Sequence, residues 1–194
     1  MPKLGMEPIR KAALVNATIT EIGRAGSLDV TVSQIAKRAG MSSALAHHYF
    51  GSKEEMFLAA MRHILTLYGA EVRGALALAD GPEARVRAVL VASLSPANFR
   101  REAVGAWLNF WVLAQTVPEA KRLLAIYQRR LRSNLLTGLR PLAGAQAEAV
   151  AGGLGALIDG LYLREVLKSG PPDGRAAVQV ALVYLRGQLA MQAD

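Results

Sequence analysis

The sequence predicts an all-α fold, and three observations predict it. Apolar residues recur at helical spacing along most of the chain, while strictly alternating patterns are scarce. Ala and Leu dominate the composition. Glycines and prolines fall between the periodic runs, where they punctuate helices.

About nine helices are expected over the 194 residues. The first runs from Pro8 to Ala25, with Leu14, Val15, Ile19 and Ile22 on one side. Two short helices fill 31–50. Longer ones follow over 52–78, 82–94, 100–116, 118–139, 145–168 and 172–191. Pro8, Pro82, Pro118 and Pro172 mark helix starts, where a missing N–H costs nothing. The expected division is an amino-terminal domain over 1–53 and a carboxy-terminal helical domain over 54–194.

Composition excludes several functions. The chain has no cysteine, so disulfides, thiol catalysis and thiolate metal sites are out. Its three histidines, His47, His48 and His63, are too few for a His-rich metal centre. No paired-carboxylate motif or nucleophile elbow appears, so no catalytic residue, cofactor or metal is assigned and no enzyme activity is expected. Lys3, Glu7 and Arg10 interrupt the start before a secretory hydrophobic run forms. The longest uncharged stretch, 103–118, is shorter than the ~20 apolar residues of a membrane helix. The expectation is a cytoplasmic protein with no membrane association.

Charge points to a polyanion. The net formal charge is +8. Residues 1–53 carry seven Lys and Arg against three acids, so half of the excess sits in the first quarter of the chain.

That quarter holds the most informative segment, Thr31 to Phe50. Thr31 with Gln34 forms a capping box. Val32, Ile35, Ala36 and Ala39 make one apolar stripe, and Gly40 suits a left-handed stop. Ser42 caps a second short helix, and Ser52 with Glu55 opens the fourth. Two short helices across a tight Gly turn form a helix-turn-helix, whose second helix enters the major groove. Ser43, Ala44, Leu45 and His48 then face base edges, where small and apolar groups suit a thymine methyl. Thr31, Ser33, Ser42, His47, Tyr49 and Lys53 hold the phosphate backbone. Met41, Ala46 and Phe50 dock the helix inward.

From Thr31 to Glu55 the chain resembles the DNA-binding domain of the TetR family of transcriptional repressors. It departs at His47, where that family most often has tyrosine. The likeness extends along the chain. The opening Met-Pro-Lys-Leu-Gly-Met, Ala106–Trp111 and Ala156–Arg164 are similar to the family's choline-responsive repressors of glycine-betaine synthesis. The resemblance implies a helix-turn-helix domain followed by a helical ligand-binding and dimerisation domain. It implies double-stranded palindromic operator DNA as one partner and choline as inducer. A TetR-type regulator of another operon, such as efflux, with a different hydrophobic or cationic ligand, is the alternative.

The residues supply a chemistry for that ligand. Trp107, Phe110 and Trp111 share a helix face at i, i+3 and i+4. Aromatic faces bind quaternary ammonium groups, which donate no conventional hydrogen bond. Asp159 and Tyr162 supply a carboxylate and another ring, with Tyr127 and Asn109 as further candidates. An aromatic stripe at helical spacing is, however, more often packed core than ligand cage. Arg129, Arg130 and Arg132 read as a solvated face. The last two helices, with Leu154, Leu157, Ile158, Leu161, Val178, Val180, Leu182, Val183 and Leu185, are too apolar for one core to absorb. A homodimer through them is expected, as the resemblance implies, with recognition helices ~34–36 Å apart.

Overall fold

The computed structural model describes residues 5–191; Lys3 and the first four residues of the amino-terminal match lie outside them. Among the described residues there are nine α-helices, one 3-10 turn and no strand. They are α1 (Met6–Ala25), α2 (Val32–Arg38), α3 (Ser43–Phe50), α4 (Lys53–Ala77), α5 (Pro82–Ser93), α6 (Arg101–Leu113), α7 (Pro118–Ala143), α8 (Ala147–Leu167) and α9 (Gly174–Ala190).

Most boundaries fall within three residues of the sequence reading, α1 starting at Met6 and α6 ending at Leu113, and two of the differences have a clear physical cause. α7 continues through Pro141 to Ala143. Leu139 and Ala143 are buried on either side of the proline, and that burial offsets the lost backbone bond. α9 starts at Gly174, not at Pro172, because Asp173 supplies the cap: its Oδ1 accepts from Ala176 N at 3.0 Å.

The chain forms two compact units. One holds Met1–Thr66 and Arg100–Leu124; the other holds Leu67–Phe99 and Ala125–Asp194. These packing units do not follow the division at residue 53, since α4 runs unbroken past it and α6 packs with the amino-terminal helices.

In the first unit Leu14, Ala17 and Ile22 of α1 meet Val30, Ile35, Ala36, Ala46, Met56 and Phe57 in one core. Burying each large aliphatic or aromatic side chain contributes about 1.5–3 kcal/mol. α6 crosses α1 at two facing glycines. A Cβ on Gly23 would lie 2.5 Å from Glu102 Cα, and one on Gly105 would lie 2.9 Å from Gly23 Cα. No other residue fits that approach without displacing a backbone.

In the second unit the buried residues include Val86, Val89 and Leu90 of α5, Leu135 and Leu139 of α7, Leu154 and Ile158 of α8, and Leu182 and Leu185 of α9. α7 meets α5 where a Cβ on Gly138 would stand 2.7 Å from Pro82 O. One face of α8 and α9 stays uncovered. On α9, Val180 is 49% and Val183 60% exposed; on α8, Leu163 and Leu167 are exposed one turn apart. Toward its start the α8 face is small, with Ala149, Gly152, Ala156 and Gly160 at helical spacing and all exposed.

Candidate functional site

The helix-turn-helix forms as its caps require. Gln34 N donates to Thr31 Oγ1 at 3.1 Å, and Thr31 N donates to Gln34 Oε1 at 2.7 Å. Gly40 takes φ +68°, and Met41 N closes the turn on Ala36 O at 2.9 Å. Ser42 Oγ then accepts from Leu45 N at 3.2 Å, so the cap of α3 sits two residues after the glycine. Ala46 is buried, while Met41 and Phe50 pack partly buried on the same core. That leaves Ala44, His47 and His48 exposed on α3, with Ser43, Leu45 and Tyr49 half-buried beside them. Ser33 is exposed on α2.

Several backbone-holding candidates are already engaged. Thr31 Oγ1 sits 3.0 Å from Gln34 Oε1, so its hydroxyl proton is directed into the capping box. Lys53 Nζ donates to Leu28 O at 3.3 Å and stands 5.6 Å from the Phe57 ring centre, with two further N–H donors. His47 Nδ1 lies 3.0 Å from Gly51 O. A carbonyl only accepts, so Nδ1 carries the proton and Nε2 of the neutral ring is an acceptor. The Nδ1–H of His47 is therefore engaged on the Gly51 carbonyl. Arg10, which the sequence reading left out, donates from Nη1 to Tyr49 Oη at 3.4 Å. It brings a cation from α1 to the tyrosine, a pairing across 39 residues that spacing does not reveal.

The six aromatic and acidic ligand candidates divide between the units. Trp107, Phe110 and Trp111 belong to the first. Trp107 packs edge-on to Phe110 at 5.9 Å and lies 6.1 Å from Trp111, with Trp107 and Phe110 buried. Asn109 spends its amide on Gly105 O at 2.8 Å and Gly26 O at 3.3 Å, which ties α6 to the end of α1. Both donors of the Asn109 amide thus serve the helix crossing.

Tyr127, Asp159 and Tyr162 belong to the second unit. Tyr127 Oη donates to Asp159 Oδ1 at 3.3 Å. The Tyr68 ring, also unpredicted, stands 5.6 Å from the Tyr127 ring, and its hydroxyl meets Ser93 Oγ at 2.8 Å. Tyr162, one turn beyond Asp159, stacks on Phe99 at 5.4 Å and donates to Asn98 O at 3.1 Å. Asn98 in turn donates to Ala92 O at 2.9 Å, holding the end of α5.

Electrostatics single out Asp159. Burial pushes its carboxyl above the ordinary carboxylate range, and the Tyr127 hydroxyl offsets part of that rise. Among the described residues, no Lys, Arg or His forms an ion pair with it. The tyrosines around it stay neutral: burial pushes Tyr68 up to about 12 and raises Tyr127 and Tyr162 further. A carboxylate withdrawn from water without a cation is costly. Two tyrosine faces and a lone carboxylate form an environment suited to a cation with few hydrogen-bond donors. No group of three or more acids or histidines able to hold a metal exists among the described residues.

Residues 14–60 match the tetR family of bacterial regulatory proteins, and residues 82–190 match the carboxy-terminal domain of BetI-type transcriptional repressors. The chain belongs to the BetI-type TetR family of transcriptional repressors.

This repressor is 48% identical to the transcriptional regulator BetI of Brucella suis biovar 1 over 193 residues, covering 99% of this chain and 98% of the relative. It is also 48% identical to BetI of Rhizobium meliloti strain 1021 over 195 residues, covering 100% and 96%. A transcriptional regulator of Pseudomonas aeruginosa PAO1 shares the fold at TM-score 0.84 and 28% identity, over 97% of this chain and 93% of that one. A Saccharomonospora viridis regulator, solved in complex with choline, shares the fold at TM-score 0.78 and 21% identity, over 91% and 95%. The repressor's family is regulatory and not enzymatic, in agreement with the lack of a catalytic motif. No helix among the described residues is long and apolar enough to cross a membrane.

Proposed function

We propose that this repressor binds palindromic operator DNA as a homodimer and is induced by choline, so that it controls genes of choline uptake and glycine-betaine synthesis in the cytoplasm. The observation that carries the ligand is Asp159, a largely buried carboxylate without a cationic partner, hydrogen-bonded to one of two adjoining tyrosines. Choline provides the missing positive charge and presents methyl groups to the aromatic rings. Glycine betaine carries the same head with a carboxylate that Asp159 repels. The choline-bound regulator of the same fold and the full-length BetI relatives support this reading.

Function divides here as residues 1–53 for DNA and 54–194 for ligand and dimer. In this division Ser43, Ala44, Leu45 and His48 read base edges. Ser33, Ser42, Tyr49 and Lys53 fix the backbone, and Arg10 is added to them. Thr31 and His47 contribute only after releasing Gln34 and the Gly51 carbonyl. Trp107, Phe110 and Trp111 serve chiefly as the core of α6, while Tyr68, Tyr127, Asp159 and Tyr162 form the ligand set. The exposed face of α8 and α9 is the dimer surface.

Induction requires that choline prefer one of two states, since equal affinity shifts nothing. The test is a mobility shift at fixed salt on DNA from upstream of the repressor's own gene, against scrambled DNA, because phosphate contacts make affinity steeply salt-dependent. Specific retention altered by choline and not by glycine betaine is expected. Specific retention indifferent to choline removes the ligand assignment, and equal retention of both DNAs removes the groove-reading assignment.

A further inference from the structure

A second recess lies in the second unit between α5 and the start of α9. It encloses about 620 Å³ and contains none of the Asp159 set. Its floor is fixed by a close helix approach, because a Cβ on Gly174 would collide with Leu94 O and would stand 2.9 Å from Phe99 Cε2. Two arginines line it from different elements, Arg87 on α5 and Arg175 on α9. Both are exposed, and neither takes part in any ion pair among the described residues.

The remaining lining is rich in donors and apolar surface. Ser95 is buried and accepts from Asn98 Nδ2 at 3.4 Å, so its own O–H is free to donate into the recess. Gln179 adds an amide. The single acid, Asp173, is turned to Ala176 N at 3.0 Å, and it satisfies the helix start internally. Val91 is 45% exposed on one wall and Val178 lines the other. Two unpaired guanidiniums, a spare hydroxyl donor and an apolar wall complement an anion that carries a short hydrocarbon.

We propose that this groove is a second small-molecule site, independent of the cation site, for an amphipathic anion. Arg87 and Arg175 clamp a carboxylate or phosphate head, and a short apolar chain lies along Val91 and Val178. The two head chemistries share the clamp and are separated by the test.

The test is calorimetric titration of the full-length protein with hexanoate and, separately, with hexyl phosphate, using hexanol and inorganic phosphate as half-ligands. Saturable binding of at least one amphipathic anion is expected, and stronger than that of either half-ligand. Arg87→Ala and Arg175→Ala should each weaken it about tenfold or more, as loss of a charge-assisted contact does. Val91→Asp should also weaken it, and Arg129→Ala, an exposed arginine on α7, should leave it unchanged. Both arginines are exposed, so these variants fold. Absence of saturation with both anions, equal binding by the arginine variants, or competitive displacement by choline would each overturn the proposal. Binding of hexanoate but not hexyl phosphate identifies the ligand as a carboxylate, and the reverse as a phosphate ester.

Discussion

Asp159→Asn separates a ligand role from a structural one, because the two predict opposite signs in two observables. The methyl groups of choline hold its nitrogen about 4 Å from a carboxylate oxygen, where unit charges gain about 4 kcal/mol at an effective dielectric constant near 20. Asparagine keeps the shape and can still accept from Tyr127, whose hydroxyl lies 3.3 Å from Oδ1. The amide removes the charge but leaves a dipole, so choline affinity should fall about 100- to 1000-fold. Stability should move the other way. Burial raises the Asp159 carboxyl, which means the ionised group is disfavoured in the folded protein at neutral pH. Removing it should leave the ligand-free Tm unchanged or raised by up to about 4 °C, since about 1 kcal/mol shifts a domain of this size by about 2–4 °C. Calorimetric titration with choline and a melting curve without it give both numbers. A fall in Tm with choline affinity kept within about threefold would show Asp159 to be a structural residue and refute the reasoning.

Three other outcomes follow from the same geometry. Choline affinity should be full at high pH and weaken as pH falls through the raised range of Asp159, starting above the onset for an exposed carboxylate, while Asp159→Asn is flat; Tyr68, Tyr127 and Tyr162 stay protonated throughout. Titrations at several pH values check this. Gly105→Ala places a Cβ 2.9 Å from Gly23 Cα, so it should cost about 1–3 kcal/mol, read as a lower Tm, with the α9 surface unaffected. Val183→Glu puts a charge on the exposed apolar stripe of α9 and should yield a folded monomer in sedimentation that no longer retains operator DNA; a persistent dimer would place the interface elsewhere.

The parts of the fold legible in the sequence were those determined within a few residues. Thr31 with Gln34, Gly40 and Ser42 act across three or four positions, so the turn and both short helices could be written down directly. Pro141 was misread as lying past the helix end because its local cost is plain, whereas the burial of Leu139 and Ala143 that offsets it is tertiary. Periodicity placed Trp107, Phe110 and Trp111 on one face without saying what that face meets. Asp159 and Tyr162 were recognisable as a turn-spaced pair, but Tyr68 and Ser93 enter through a contact 25 residues apart. His47 illustrates a finer limit: its identity was visible, yet the Gly51 carbonyl that fixes its proton appears only once α3 has ended.

The two facing glycines of α1 and α6 also bear on how such a repressor can be re-engineered. The chain passes between its compact units three times, within α4, after Phe99 and within α7. A hybrid that exchanged only residues 1–53 would therefore set a foreign α1 against the native α6, and any side chain opposite Gly105 would force the helices apart. The portable cassette is discontinuous: a new DNA specificity has to travel with α6 as well as with the recognition helix, or be grafted on the exposed positions of α3 alone.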